Sequence, residues 1–396
     1  RGPRLMELAI TGLGAVSPFG VGREAWCAAL AEGEGARAKA FREGPSEVLE
    51  GEAFADARTA EVWGWDPKAH LGKRGHRSYD RLTKFLIAAA KHALADAGVK
   101  VEGEFAPPLG PEKVGICSAT AYGSLDAITE LNRVAELENP RYLNPTRFPN
   151  TVINAAAGYV SIWEDLRAPN TTVVDGNCGA LDAVLTASTH LEHGRGEAFL
   201  VGGGEVVSEP LYLALKKLGV LADGRTDGQG VEMGEGAAYV VVEKPEAAAA
   251  RGATVHARIR GYGTAFEPPE SEALLVHCGA DAVERAARMA LSEAGVAPEE
   301  LDAVVTATGG IGDIDGAEMA GLKRVFGEGL AYAPTKRLQG ETFGAAGAFG
   351  LASVLAWMGG APVAPVGAGA APEKVGAALV STVGFYGNVS CVVVTR

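Results

Sequence analysis

Hydrophobic and polar positions alternate along the chain in a way that predicts both helices and strands. Apolar residues recur at helical spacing over about residues 81–97 and 280–294, and a glycine follows the end of each run. Glycine adopts the left-handed conformation at low cost, so each helix is predicted to end at that point. A short β-rich segment comes next in both places, at 113–118 and 301–306.

The two helix ends also resemble each other in sequence. Lys91–Val99 reads KHALADAGV and Arg288–Val296 reads RMALSEAGV, and the two segments lie about half the chain length apart. Such an internal repeat favours a duplicated α/β unit over two unrelated domains. We therefore predict an N-terminal half at residues 6–245 and a C-terminal half at residues 246–396.

Each half also repeats a strand, a glycine-rich turn and a helix of small residues. The first copy runs from 171–175 into 179–190, and the second runs from 330–334 into 342–358. Glycine inside a helix costs roughly 1 kcal/mol of stability relative to alanine. Burial of these helices in close contact with other backbone would offset that cost. We predict two central helices between two sheets.

Composition and charge exclude several classes of partner. The net charge is −13, which does not suggest the clustered Lys and Arg that bind nucleic acid, and it disfavours docking on anionic lipid. Residues 343–372 carry no formal charge, but the helix-like part is too short to cross a bilayer. With no apolar signal-peptide core at the start, we expect a cytoplasmic protein that does not enter the membrane.

Cysteine and histidine usage argues against a metal or disulfide framework. The five cysteines are widely spaced, odd in number and free of CxxC pairs, so neither a zinc site nor any cofactor is expected. The histidines are at positions 70, 76, 92, 190, 193, 256 and 277. Residues 278–396 therefore contain none.

Four segments in order resemble the β-ketoacyl synthase family. They are Ile10–Pro18 (ITGLGAVSP), Val231–Ala238 (VEMGEGAA), Lys336–Gly347 (KRLQGETFGAAG) and Ala378–Asn388 (ALVSTVGFYGN). The resemblance covers essentially the whole chain. It implies an α/β thiolase fold, in which duplicated α/β halves form a five-layer αβαβα sandwich.

The family's chemistry requires groups that this chain lacks. A cysteine at a helix N-terminus accepts the acyl chain, two histidines stabilise the enolate formed by decarboxylation, and backbone N–H groups hold the oxyanion. Here the resemblance puts Asn177 at the nucleophile position, Thr308 at one histidine position and Glu341 at the other. Lys336 is retained. Cys178 comes one residue after the nucleophile position. Because each helical residue turns by about 100°, its side chain should point away from the pocket.

A chain that keeps the scaffold but lacks these groups resembles one branch of the family, the chain length factor or ketosynthase β-subunit of type II polyketide synthases. That branch usually carries Gln at the nucleophile position, where this chain has Asn177. The resemblance implies a non-catalytic subunit that forms a heterodimer with an active ketosynthase α-subunit, works with an acyl carrier protein and sets polyketide or polyene chain length.

The same resemblance implies a gate for the acyl tunnel. In that branch the gate segment follows the third strand of the fold. Leu125, Ile128 and Asn132 lie in the matching segment of this chain, and Phe385 lies in the closing segment. Smaller side chains at such positions lengthen a pocket and larger ones shorten it. The strand at 171–175 is expected to pair across the dimer interface.

Three other functions stay open. The chain could be a divergent acyltransferase or malonyl decarboxylase that uses Cys178 or Glu341. It could be a homodimeric acyl-binding scaffold without a ketosynthase partner. A thiolase-like degradative enzyme is less favoured, because its chemistry also needs cysteine and histidine.

Overall fold

The computed structural model describes residues 5–222, 229–271, 273–274 and 276–396. The main strands, numbered in chain order, are β1 Leu8–Ser17, β2 Val114–Ala119, β3 Asn170–Val173, β4 Ala198–Glu205, β5 Gly236–Glu243, β6 Ala257–Phe266, β7 Ala303–Thr306, β8 Ala331–Pro334, β9 Ala377–Val383 and β10 Asn388–Thr395. Short strands lie at Gly20–Val21, Thr59–Ala60, Lys100–Val101, Glu104–Phe105 and Met233–Gly234.

The helices connect these strands. They are α1 Arg23–Glu32, α2 Glu34–Ala40, α3 Pro67–Leu71, α4 Arg81–Asp96, α5 Leu125–Arg133, α6 Ala155–Glu164, α7 Gly179–Glu192, α8 Glu209–Leu218, α9 Pro245–Ala250, α10 Ala280–Ala294, α11 Gly312–Phe326, α12 Lys336–Gln339 and α13 Ala346–Met358. Shorter helical turns lie at Glu52–Phe54, Pro111–Lys113, Val134–Glu138, Pro140–Tyr142, Pro145–Thr151, Gly176–Cys178, Pro298–Glu300 and Phe343–Ala345.

The strand order shows the duplication. The main strands follow one another as β8-β7-β9-β10-β6-β1-β5-β4-β2-β3. Read outward from the middle, β1-β5-β4-β2-β3 and β6-β10-β9-β7-β8 are equivalent series from the two halves. The two half-sheets are continuous, because β1 and β6 pair antiparallel with Leu8 opposite Ile259.

Helices complete the five layers that the family resemblance implied. The central helices α7 and α13 pack against each other and share one core with the inner faces of both half-sheets, including Leu181, Val240, Phe349 and Val380. The outer face of the first half-sheet is covered by α4, and that of the second by α10. The predicted α/β thiolase fold is confirmed.

The predicted helices lie where the hydrophobic pattern placed them. The residues after α4 and α10 include Gly98 and Gly295, whose φ angles of 61° and 64° are left-handed. Every residue of α13 is buried, so the uncharged segment is a core helix followed by a loop. In the part of the chain that the structure describes, no helix has the length and apolar character needed to cross a membrane.

Two glycines bring strands and outer helices into close contact. A Cβ added to Gly14 in β1 would lie 2.1 Å from the carbonyl oxygen of Ala89 in α4. In the second half, a Cβ added to Gly263 in β6 would lie 2.1 Å from the carbonyl oxygen of Ala286 in α10. Only glycine permits this approach, so the duplicated packing rests on equivalent residues.

Replacing Gly14 by alanine should therefore destabilise the protein by about 1–3 kcal/mol, because the new methyl group meets backbone that cannot move aside easily. Gly263→Ala should have an effect of similar size in the other half. Urea unfolding monitored by circular dichroism measures both changes.

Gly158 in α6 provides the matched control, since a Cβ added there meets nothing within 4 Å. Gly158→Ala should stabilise the protein by about 0.5–1 kcal/mol, because alanine loses less backbone entropy in a helix. Equal unfolding midpoints for Gly14→Ala and Gly158→Ala would contradict the close-packing argument.

Candidate functional site

The predicted nucleophile position lies in the turn that leads from β3 into α7. This turn, Gly176–Cys178, begins with Gly176 at a φ of 51°, which glycine adopts without strain. It carries the chain from the sheet edge into the central layer. Asn177 and Cys178 are both buried as a result.

Cys178 faces away from the polar groups of the site. Its sulfur lies 3.5 Å from the carbonyl oxygen of Thr382 and 3.6 Å from that of Asn388. Burial raises the pKa of the Cys178 thiol far above its ordinary value. The thiol therefore stays protonated, whereas a nucleophilic cysteine needs a stabilised thiolate.

Asn177 points the other way, into a buried polar cluster with Glu341 and Lys336. Its side-chain amide donates to Glu341 Oε2 over 3.3 Å, and Lys336 Nζ donates to the same oxygen over 2.6 Å. The other carboxylate oxygen accepts the N–H of Phe343 at 2.8 Å. The side chains of Lys336 and Glu341 are only 7% and 2% exposed, so this is a buried ion pair.

The backbone holds Glu341 in place. The chain turns after α12 at Gly340, whose φ is 79°. The N–H of Glu341 then donates to Glu232 O at 2.7 Å, and its carbonyl accepts from Gly234 N at 2.9 Å. The segment of Glu232 and Gly234 thus fixes the backbone of Glu341 on both sides of its Cα.

Thr308 lies on a loop between β7 and α11. Its hydroxyl is 2.6 Å from the hydroxyl of Thr306. The loop is shaped by Asp315 in the first turn of α11, which accepts the N–H groups of Gly309 and Gly310 at 3.0 and 2.8 Å. The loop therefore brings a threonine, and no histidine, to the cleft that Glu341 also lines.

A second carboxyl group lies deeper in the same region. Glu318 is fully buried and accepts the N–H of Ala307 at 2.8 Å and the hydroxyl of Ser381 at 2.6 Å. Burial raises the pKa of Glu318 to about 7. Burial therefore favours the protonated form of Glu318 relative to an exposed glutamate.

The four positions that the family resemblance singled out lie in one region. Asn177 and Lys336 each contact Glu341 directly, and Thr308 shares a cleft of about 430 Å³ with Lys336 and Glu341. Within the described ranges, no group of three or more His, Cys, Asp or Glu residues could hold a metal ion.

The predicted gate residues differ in whether they contact one apolar cluster. Leu125 and Phe385 are partly buried and pack against one apolar cluster, which includes Phe343 and Met233. Ile128 is half-buried one turn further along α5. Asn132 is exposed near the end of that helix, so the structure does not bring it to the cluster.

Sequence reasoning did not assign Tyr122, Glu205 or Phe343 to the site. The ring of Phe343 packs edge-on against Tyr122 and against the predicted gate residue Phe385, with centroids 5.3 and 6.0 Å away. Buried Glu205 accepts the N–H of Ala121 at 2.7 Å, and burial raises its pKa to about 7. The only signal in the sequence was the position of Phe343 two residues after Glu341.

The buried ion pair makes a testable contribution to stability. Lys336→Met should lower the free energy of unfolding by about 3–5 kcal/mol, because it leaves the Glu341 carboxylate buried without its cation. Urea unfolding of the two proteins measures the difference.

The exposed pair between Arg258 and Glu7, at 2.7 Å and about two-fifths exposed, is the control. Arg258→Met should cost less than about 1 kcal/mol, since solvent screens the charges. A loss for Lys336→Met no larger than that for Arg258→Met would show that Glu341 does not depend on the lysine.

Comparisons with known proteins agree with this architecture. The chain resembles the ishigamide ketosynthase/chain length factor with a TM-score of 0.82, 24% identity and 99% of each chain covered. It resembles a ketosynthase in complex with its chain length factor from Xenorhabdus doucetiae with a TM-score of 0.79 and 17% identity, over 99% of this chain and 98% of the other. At these identities the likeness establishes the fold.

Sequence comparison establishes the family. Residues 6–248 match the family described as "Beta-ketoacyl synthase, N-terminal domain" and residues 256–367 match "Beta-ketoacyl synthase, C-terminal domain". The chain is 30% identical over 363 residues to 3-oxoacyl-(acyl-carrier-protein) synthase 2 of Coxiella burnetii, covering 86% of this chain and 83% of that protein. The corresponding Rhizobium meliloti protein is also 30% identical, over 374 residues. The chain belongs to the β-ketoacyl synthase family.

Proposed function

We propose that this chain is a non-catalytic chain length factor, which pairs with an active ketosynthase and shapes the channel for the growing acyl chain. The observation that carries the proposal is the buried cluster of Asn177, Lys336 and Glu341. It occupies the positions where the family resemblance calls for a nucleophile and an imidazole.

The chemistry of Glu341 opposes condensation. The reaction needs hydrogen-bond donors for the negative charge that develops on the thioester oxygen when malonyl loses CO₂. An ionised carboxylate is an acceptor only and repels such a charge. Lys336 Nζ lies 2.6 Å from the Glu341 carboxylate and forms a buried ion pair with it.

Cys178 does not replace the missing nucleophile. Its thiol is fully buried against backbone carbonyls and has a raised pKa. The chain also has no histidine after His277 that could serve as its base. These features argue against a divergent acyltransferase that uses Cys178.

The open edge of the sheet at β3 supports the proposal that this chain pairs with a partner. β3 is the last strand of the sheet and pairs on one side, with β2. Exposed apolar side chains lie on adjoining elements, among them Ile162 at 73% and Val174 at 50% exposure. An open strand edge beside exposed apolar groups is typical of a protein interface.

Similar solved structures support the kind of partner. One is a ketosynthase in complex with its chain length factor, and another is a type II polyketide synthase acyl-carrier protein in complex with its ketosynthase. We extend this arrangement to the present chain as a proposal. Its partners are then an active ketosynthase α-subunit and an acyl carrier protein.

A reconstitution experiment tests the proposed function. The purified chain alone, incubated with malonyl carrier protein, should release no CO₂ and show no acyl group on Cys178 by mass spectrometry. After co-expression with a ketosynthase that keeps its cysteine and both histidines, it should purify as a heterodimer that condenses malonyl units.

Cys178→Ala in this chain is the control and should leave the activity of the heterodimer unchanged. Loading of Cys178, or condensation by the isolated chain, would refute the proposal. A homodimer that ignores the ketosynthase would favour the acyl-binding scaffold instead.

Channel control has a separate test in the heterodimer. Leu125 packs against the same apolar cluster as Phe385, so Leu125→Phe should fill space at the gate and shorten the product by at least one two-carbon unit. Product masses measure the change.

Leu213→Phe is the matched control, because Leu213 is 40% exposed on the outer side of α8. It should leave the product length unchanged. An unchanged product with Leu125→Phe would remove Leu125 from the gate, while Ile128 and Asn132 would stay proposed gate positions.

A further inference from the structure

Phe343 has a backbone conformation that large side chains rarely adopt. Its φ is 43°, within the left-handed region, and its side chain is only 1% exposed. A bulky residue stays in this region only when its surroundings hold it there. One such restraint is the hydrogen bond from the N–H of Phe343 to Glu341 Oε1, at 2.8 Å.

The ring of Phe343 connects the two parts of the proposed gate. It packs edge-on against Tyr122, at 5.3 Å between centroids, and against Phe385, at 6.0 Å. Tyr122 precedes α5, and Leu125 of α5 packs against the same cluster. The ring therefore fills the space between the segment that carries Leu125 and the loop that carries Phe385.

The turn Phe343–Ala345 cannot move away easily. A Cβ added to Gly344 would lie 2.6 Å from the Cα of Thr120, so the two backbones are in close contact. Glu205 Oε2 accepts the N–H groups of Ala121 and Gly344, at 2.7 and 3.4 Å. On its other side, the turn contacts the turn at Gly176–Cys178, which carries the degenerate nucleophile position.

We propose that Phe343 is a specificity-determining residue, whose ring closes the space between the segment of Leu125 and the loop of Phe385 and excludes an acyl chain from it. Glu341 is a positioning residue in this arrangement, since its carboxylate holds the Phe343 backbone. The inference rests on the proposed function, because it specifies how a subunit without a nucleophile keeps the growing chain out of its own interior.

Binding of an acyl thioester to the isolated chain tests the closure. The probe is the dodecanoyl thioester of N-acetylcysteamine, titrated by calorimetry into the wild type, Phe343→Ala and Phe343→Gly. Each variant should bind at least about tenfold more tightly, the effect of burying roughly two further methylene groups. Glycine suits the left-handed φ, so Phe343→Gly keeps the test valid if the alanine variant unfolds.

Phe54→Ala is the matched control. Phe54 belongs to the same apolar cluster, but its ring packs on Tyr212, at 5.3 Å between centroids. It should bind the thioester no more tightly than the wild type. Unchanged affinity in both Phe343 variants, or an equal gain in Phe54→Ala, would overturn the inference.

Product length in the heterodimer separates this inference from the proposed function. Tighter thioester binding by Phe343→Gly without any change of product would support closure and count against length control by this chain. Unchanged binding together with an altered product for Leu125→Phe would overturn closure and leave the proposed function standing.

Discussion

A carboxylate buried in a protein interior needs partners, and the loops of this chain are arranged around carboxylates that have them. Glu235 accepts from Arg81, with Nε at 2.9 Å, and from the N–H of Val62 at 2.8 Å. Glu243 accepts from Arg251, with Nε at 2.7 Å. An unpaired charge at such a depth would cost several kcal/mol, and the pair of Arg81 and Glu235 also joins segments 154 residues apart.

Glu341 belongs to this set and also decides what the site can do. The scaffold around it is that of a β-ketoacyl synthase, with the central helices, the loop before α11 and the retained Lys336 in place. Under the proposed function, this carboxylate stands where the family resemblance places an imidazole. Its hydrogen bonds to Asn177, Lys336 and Phe343 then give it a structural role, and a fold does not by itself determine a function.

Much of the architecture was predictable because it is local. Helical periodicity placed α4 and α10, and the glycines after them have the left-handed φ that a helix end favours. The small-residue pattern marked α13 as a buried helix. The boundary after residue 245 and the roles of the degenerate positions stay predictions, since they depend on more than local pattern.

By itself the sequence determined the alternation of strands and helices, the duplication, and the absence of histidine after position 277. Tertiary structure alone decided that Cys178 contacts backbone carbonyls, that Asn177 meets Glu341, and that Phe343 lies between Tyr122 and Phe385. The physical reason is distance along the chain. Periodicity and turn preferences act over a few residues, whereas these contacts join residues far apart along the chain, most of them from opposite halves of the duplicated fold, and no local pattern encodes them.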